Sequence, residues 1–273
     1  MIPPRHNYEL RIEALPAFAD NYVWLIHDGR DAIAVDPGDA APVRETLQAL
    51  SLRLRTILLT HHHPDHVAGA PALKTATGAQ IYGPAAESDM IGSLDHPLSD
   101  GNCVELSAPQ LRLKVLAIPG HTLGHIAYHA AQPAPGLLFC GDTLFSAGCG
   151  RLFEGSPQQM LGSLQRLAAL PASTAVYCGH EYTLANLQFA QTVEPTNAAI
   201  EAAIREVRGW RKADRPSLPS TIERERCINP FLRSAETAVR GAVSLHVGRD
   251  PGAADRVFAA LRQWKDGYRP PPV

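Results

Sequence analysis

An α/β body running to about residue 180, followed by a helical tail, is predicted by three features of this 273-residue chain. Four short apolar runs, ending at Leu59, Ile118, Cys140 and Cys178, each break off within a few residues of a histidine or aspartate. Segments with helix-capping signals lie between them, and beyond His180 helical spacing replaces strand-like alternation. Loops at the ends of sheet strands are where a rigid scaffold gathers side chains distant in sequence, so the recurring pattern points to one composite site.

In chain order, Val23 to Ile26 and Ala32 to Val35 flank "HDGR" and read as a hairpin. A helix is expected to open at Pro42 and run through "PVRETLQAL". From Leu52, "LRLRTILL" alternates like a strand with one buried face and stops at Thr60. "LRLKVLAI" (111–118) alternates likewise and gives way to Pro119-Gly120-His121. "GLLFC" (136–140) delivers Gly141-Asp142, and "TAVYC" (174–178) delivers Gly179-His180. Ser156-Pro157-Gln158-Gln159 joins an N-cap serine, a first-turn proline and a glutamine three residues on, which predicts a helix through about Leu170. In the tail, Ile200, Ile204, Val207 and Trp210 share one helical face. Asp250-Pro251 is expected to cap a last helix whose apolar side is Val257, Phe258, Leu261 and Trp264.

Composition narrows the possibilities. A chain 45% hydrophobic and 19% charged is globular, and a net charge of -2 supplies no basic field to hold nucleic acid or anionic lipid. No stretch nears the roughly 18 to 20 apolar residues that cross a bilayer, and "MIPPRHNYELRIEAL" lacks the apolar core of a targeting signal, so a cytoplasmic protein is expected. Cys103, Cys140, Cys149, Cys178 and Cys227 are scattered with no CxxC pair. They read as buried thiols in a reducing compartment, not as a disulfide framework or a cysteine zinc finger.

The junction Thr60-His61-His62-His63-Pro64-Asp65-His66 carries the most chemistry. His61, His63, Asp65 and His66 can each turn a lone pair to a divalent cation, and mixed imidazole and carboxylate donors suit zinc, iron or manganese better than calcium or magnesium. If the chain past Thr60 stays extended, residues 61, 63 and 65 point one way and His62 the other. Pro64 disfavours helix at His63, while His66 stands where a helix could start. Histidinium groups this close would repel, whereas a cation binds them neutral.

That run resembles the THxHxDH signature of the metallo-β-lactamase superfamily. His121, Asp142 in "CGDTLF" and His180 in "CGHEYT" are similar, in order, to its later ligand motifs. More narrowly, "AVDPG" (34–38), "PGHTLGHIAY" (119–128), "GDTLFSAGCGRLFEG" (141–155), "CGHEYTLANLQFA" (178–190) and "VEPTNAAI" (193–200) resemble the hydroxyacylglutathione hydrolase (glyoxalase II) family across nearly the whole chain. The resemblance implies a metallo-β-lactamase αββα sandwich over residues 1–180 and a C-terminal α-helical, glutathione-binding domain over 181–273. It implies two divalent metal ions, zinc first with iron or manganese as alternatives. His61, His63 and His121 would bind one, Asp65, His66 and His180 the other, and Asp142 would bridge both. Asp65 and Asp142 would so hold a metal-bound hydroxide that attacks a thioester, turning S-D-lactoylglutathione into D-lactate and glutathione in methylglyoxal detoxification. The implied partner is that small thioester, with neither nucleic acid nor membrane, and a monomer is expected.

For the substrate, the resemblance points to Arg151, Tyr182, Arg262 and Lys265. Arg262 and Lys265, three apart on the last helix, would grip the glycyl carboxylate of glutathione together. Phe153 departs from the family pattern, in which many relatives have a tyrosine, so a hydroxyl contact to the tripeptide is expected to be missing. Asp36 either orients a ligand histidine or simply closes the Asp36-Pro37-Gly38 turn. His125 and His129 are expected to be structural or exposed. The rival readings are a lactonase, a lactamase, a one-iron persulfide dioxygenase and a non-catalytic metal module. Against them stand the complete second ligand set, the missing export signal and the basic pair in the tail.

Overall fold

The computed structural model describes residues 10–269, so most of the N-terminal stretch read for a targeting signal, residues 1–9, lies outside the described range, as do 270–273. In the first of two six-stranded sheets, β1 (Arg11–Ala17), β2 (Asn21–His27) and β3 (Asp31–Val35) form an antiparallel meander. It continues in parallel through β4 (Arg53–Leu58), β5 (Gln80–Pro84) and β6 (His96–Leu98). Four helices intervene: α1 (Ala40–Ala49), α2 (Pro64–Val67), α3 (Ala70–Thr77) and α4 (Ser88–Ile91). Alternation along β2 shows how the layers form. Tyr22, Trp24 and Ile26 join the core shared with the second sheet, while Val23 and Leu25 join Val43, Leu47 and Leu73 of α1 and α3. Both faces of β2 are therefore buried, each large apolar side chain contributing about 1.5–3 kcal/mol.

The second sheet begins with β7 (Cys103–Ser107), β8 (Gln110–Ala117), β9 (Ile126–Ala130) and β10 (Leu137–Gly141). A two-stranded hairpin, β11 (Leu144–Phe145) and β12 (Gly148–Cys149), and helix α5 (Pro157–Ala168) follow before β13 (Ala175–Cys178) pairs parallel with β10. The tail then supplies α6 (Thr183–Val193), α7 (Ala198–Lys212), edge strand β14 (Ser220–Thr221), α8 (Ile222–Ile228), α9 (Thr237–Val247) and α10 (Ala254–Gly267). Met160, Leu164 and Leu167 of α5, Val239 and Val243 of α9, and Val257, Phe258 and Leu261 of α10 share a core with the second sheet. Helix, sheet, sheet and helix thus stack as the αββα sandwich, with the helical tail folded onto it. A smaller core joins Leu187, Ile200, Ile204, Val207 and Ile228 of α6, α7 and α8 to Ala147 at the tip of the β11–β12 hairpin.

Several boundaries differ from expectation for local reasons. Helix α1 opens at Ala40 rather than Pro42, because Asp39 Oδ1 accepts the Ala41 N–H at 2.8 Å and the first-turn proline has no amide that needs a partner. Asp250 does not cap the last helix: its carboxylate closes a turn onto the Gly252 N–H, and α10 begins at Ala254 behind Ala253. The Ser156–Gln159 capping box forms as expected, although α5 ends at Ala168.

Candidate metal centre and adjoining cavity

The strand ends deliver their polar residues to one place. His61 follows β4 and His63 is extended (φ -60°, ψ 141°), but Pro64 starts α2, so Asp65 and His66 come from a helical turn and not from an extended segment. Three groups of donor atoms, each lying within 4.8 Å of one another, result: His61, His63 and His121; His61, His66 and Asp142; Asp65, His66 and His180. Asp142 stands between them, with Oδ1 3.3 Å from His66 Nε2 and Oδ2 3.5 and 3.2 Å from the Nε2 atoms of His121 and His180. His62 turns away towards Glu87 and Glu154, as its position in the run implied.

The hydrogen bonds on the far side of each ring settle where the lone pairs point. His121 Nδ1 donates to the Arg151 carbonyl at 2.9 Å and His180 Nδ1 to Asp20 Oδ1 at 2.8 Å. His61 Nδ1 lies 3.0 Å from Thr60 Oγ1, whose own proton goes to Asp36 Oδ2, so the ring is the donor there. A neutral imidazole has one N–H, so each Nε2 carries a lone pair inward. Those of His61 and His121 then both meet His63 Nδ1, at 3.1 and 3.0 Å, and His180 Nε2 faces carboxylate oxygens. His63 Nδ1 can give a proton to at most one of the two lone pairs that face it, which leaves donors for a cation, and the buried His66 Nε2 and Asp142 Oδ1 have no hydrogen-bond partner among the described residues. The donor set fits metal ions.

Burial alone would discharge these groups. It holds His61 well below its ordinary pKa, aided by the neighbouring His66 and His125. At His66 burial is outweighed by the Asp142 and Asp36 carboxylates, which lift it well above, and at Asp142 burial is outweighed by His66 and His180, which pull it well below. A bound cation would take over the charge that His66 supplies.

Asp36 does more than close a turn. It is buried at φ +50°, a left-handed conformation held by the Thr60 amide and hydroxyl on its two oxygens, and Oδ2 lies 3.1 Å from His66 Nδ1. His125 is structural: fully buried, it stacks on His61 at 4.5 Å and accepts the Asp142 N–H. His129 is half-buried on β9. Gly150 is required beside Asp142, since a Cβ there would fall 1.9 Å from the Asp142 carbonyl oxygen.

A cavity of about 770 Å³ opens from His63, His121, Asp142 and His180 towards Arg151, Tyr182, Arg262 and Lys265. Tyr182 stacks on His180 at 4.7 Å, and Phe153, 62% exposed, stands edge-on to His63 and His121. Arg262 is buried rather than solvated: its guanidinium donates to the Cys149 carbonyl and to Asp266, packs over Phe231, and keeps Nε without a partner among the described residues. Lys265 lies over Phe189 and Tyr268, and burial, then the Arg262 charge, lowers its pKa to about 8. Sequence reading overlooked Asp20, Asn21, which donates to Asp65 Oδ2 at 2.9 Å, and Asp266, whose carboxylate approaches both Arg262 and Arg151.

This sandwich, with a His/Asp centre at its strand ends, defines a metallo-β-lactamase-fold protein. Residues 18–180 match the sequence profile described as "Metallo-beta-lactamase superfamily", and residues 181–268 that described as "Hydroxyacylglutathione hydrolase C-terminus". The hydroxyacylglutathione hydrolases of Cupriavidus taiwanensis and Pseudomonas aeruginosa are 52% and 53% identical over 271 and 262 residues, each alignment covering 95% of this chain and 100% of the relative. The chain belongs to the hydroxyacylglutathione hydrolase family. Among solved structures it is similar to ETHE1 from Myxococcus xanthus, with TM-score 0.63, 25% identity, and 96% and 93% of the two chains covered. A metallo-beta-lactamase from Staphylococcus aureus shares the fold at TM-score 0.62 and 19% identity, with 98% of this chain and 75% of that one covered. No described helix is long and apolar enough to cross a membrane.

Proposed function

We propose that this chain hydrolyses S-2-hydroxyacylglutathione thioesters, S-D-lactoylglutathione foremost, to the hydroxy acid and glutathione. The supporting observation is that seven His and Asp donors converge, and that the cavity lined by five of them, His63, Asp65, His121, Asp142 and His180, runs to a cationic end. His61, His63 and His121 would hold one ion and Asp65, His66 and His180 the other, with Asp142 shared and zinc the favoured metal. Bound there, divalent cations supply Lewis acidity, lowering the pKa of water towards neutrality and steadying negative charge as it develops.

The chain's own residues do the rest. Asp20, the Arg151 carbonyl and Thr60 fix the ring orientations of His180, His121 and His61, and Asn21 holds the Asp65 carboxylate. Arg151, Arg262 and Lys265 attract the carboxylates of the tripeptide, which sets the thioester carbon at the His/Asp end, and Tyr182 walls the passage between. Phe153 offers a ring face and no hydroxyl at the mouth. Cys140, Cys149 and Cys178 are buried as expected, whereas Cys103 and Cys227 are exposed; all five are free thiols, which fits a cytoplasmic protein, and it would act as a monomer.

Elemental analysis of the purified protein, paired with hydrolysis of S-D-lactoylglutathione, tests this. Near two ions per chain with thioester hydrolysis is the expected result; metal-free protein after loading, or loaded protein inert towards the thioester, overturns it.

A further inference from the structure

One buried charge takes no part in this account. Glu225 on α8 is fully buried, does not line the cavity, and has donors all around its carboxylate. Ser146 Oγ (2.9 Å) and the Ala147 N–H (2.8 Å) reach it from the tip of the β11–β12 hairpin, and the Ser220 hydroxyl and Asn229 amide from the tail. Asn229, also fully buried, donates to the carbonyls of Phe145 and Gly148, one on each hairpin strand. Ala147 has φ +55°, a conformation that a residue with a side chain rarely adopts unless its surroundings impose it.

The hairpin they grip leads directly into the site. It starts two residues after Asp142 and ends two residues before Arg151, whose carbonyl orients the His121 ring. Its Cys149 carbonyl anchors Arg262 at 2.8 Å. A carboxylate is costly to bury unless its lone pairs are filled, and here two of the fillers belong to the hairpin. We infer that Glu225 and Asn229 are positioning residues through which the helical tail clamps the β11–β12 hairpin, and so holds His121 and Arg262 in register. The tail then serves the metal centre as well as the substrate. This rests on the roles given to His121 and Arg262 above.

Glu225→Gln keeps the shape: its oxygen can face Ala147 and Asn229 while its amide faces two hydroxyls able to accept. Glu225→Ala strands every donor. Ser146→Ala and Ser220→Ala each remove one hydroxyl from the same carboxylate, but only the first releases the hairpin. The full-length, zinc-loaded variants are compared by kcat and KM on S-D-lactoylglutathione, by zinc retention against a chelator, and by melting temperature. Glu225→Gln should stay near wild type, while Glu225→Ala and Asn229→Ala should lose about tenfold in kcat and in zinc affinity. Ser146→Ala and Ser220→Ala should melt alike, with only Ser146→Ala losing kcat and zinc. Parallel behaviour of that pair, or wild-type constants and zinc retention in folded Asn229→Ala, overturns the inference. A wild-type protein inert towards the thioester would refute the function instead, and zinc retention would still judge the clamp.

Discussion

Lys265 offers a test of substrate recognition that needs only a change of pH. Its pKa of about 8, against an ordinary 10.5, follows from burial and from the Arg262 charge. Roughly nine-tenths of the side chain is therefore charged at pH 7 and roughly one-tenth at pH 9. If the ammonium binds a carboxylate of glutathione, KM should rise roughly tenfold across that interval, within the reach of a charge-assisted hydrogen bond contributing about 1.5–3 kcal/mol. kcat should change far less with this lysine, because the contact is remote from the reacting carbon. The comparison is Lys265→Ala, whose KM should already be high at pH 7 and should lack this rise. Unfolding does not mimic the effect. Between about pH 8 and 10.5 the unfolded chain holds more protons at this lysine than the folded one, so this group adds stability as pH rises. Steady-state hydrolysis from pH 6.5 to 9.5, corrected for spontaneous thioester cleavage, reads both constants. Superimposable KM profiles for wild type and Lys265→Ala would refute the assignment.

His63→Ala should lose bound metal and nearly all thioesterase activity, measured by elemental analysis and turnover; a variant with wild-type turnover would remove His63 from the centre. Asp20→Asn should weaken zinc at the Asp65–His66–His180 side by about 10- to 100-fold in a chelator titration, since the His180 Nδ1–H would lose its charged acceptor. Arg262→Ala should raise KM more than it lowers kcat, and an unchanged KM would contradict its placement at the substrate end. Phe153→Tyr should restore a hydroxyl at the cavity mouth and lower KM for the glutathione thioester by a few-fold, the gain of one exposed neutral hydrogen bond.

How much of this could be read from the chain depends on how far each contact reaches. His61, His63, Asp65 and His66 declare themselves because one strand end and one helical turn place them together within six residues. Asp20 could not, because its partner His180 meets it only after β2 docks beside the loop that follows β13, through the bridge between Asn21 and His180. Asp266 sits in an exposed last turn, where an acidic residue reads as solvated. Glu225 stands in "ERERC", a run that looks like an outer helix face, and only the closure of the tail onto the hairpin buries it. That closure also sets what truncation would do. A chain ending near residue 185 would lose edge strand β14 and the apolar side of α10, so it should fail to fold before any preference for glutathione could be measured.

The bond between Asp20 and His180 has a further bearing on biosynthesis. As the polypeptide leaves the ribosome, the trio of His61, His63 and His121 emerges well before His180, and the earliest strands must wait for that last histidine to appear. The Asp65, His66 and His180 side is completed only when that late residue closes on the beginning of the chain. A metal centre gathered from both ends of the catalytic body thus has no finished seat until that body has folded.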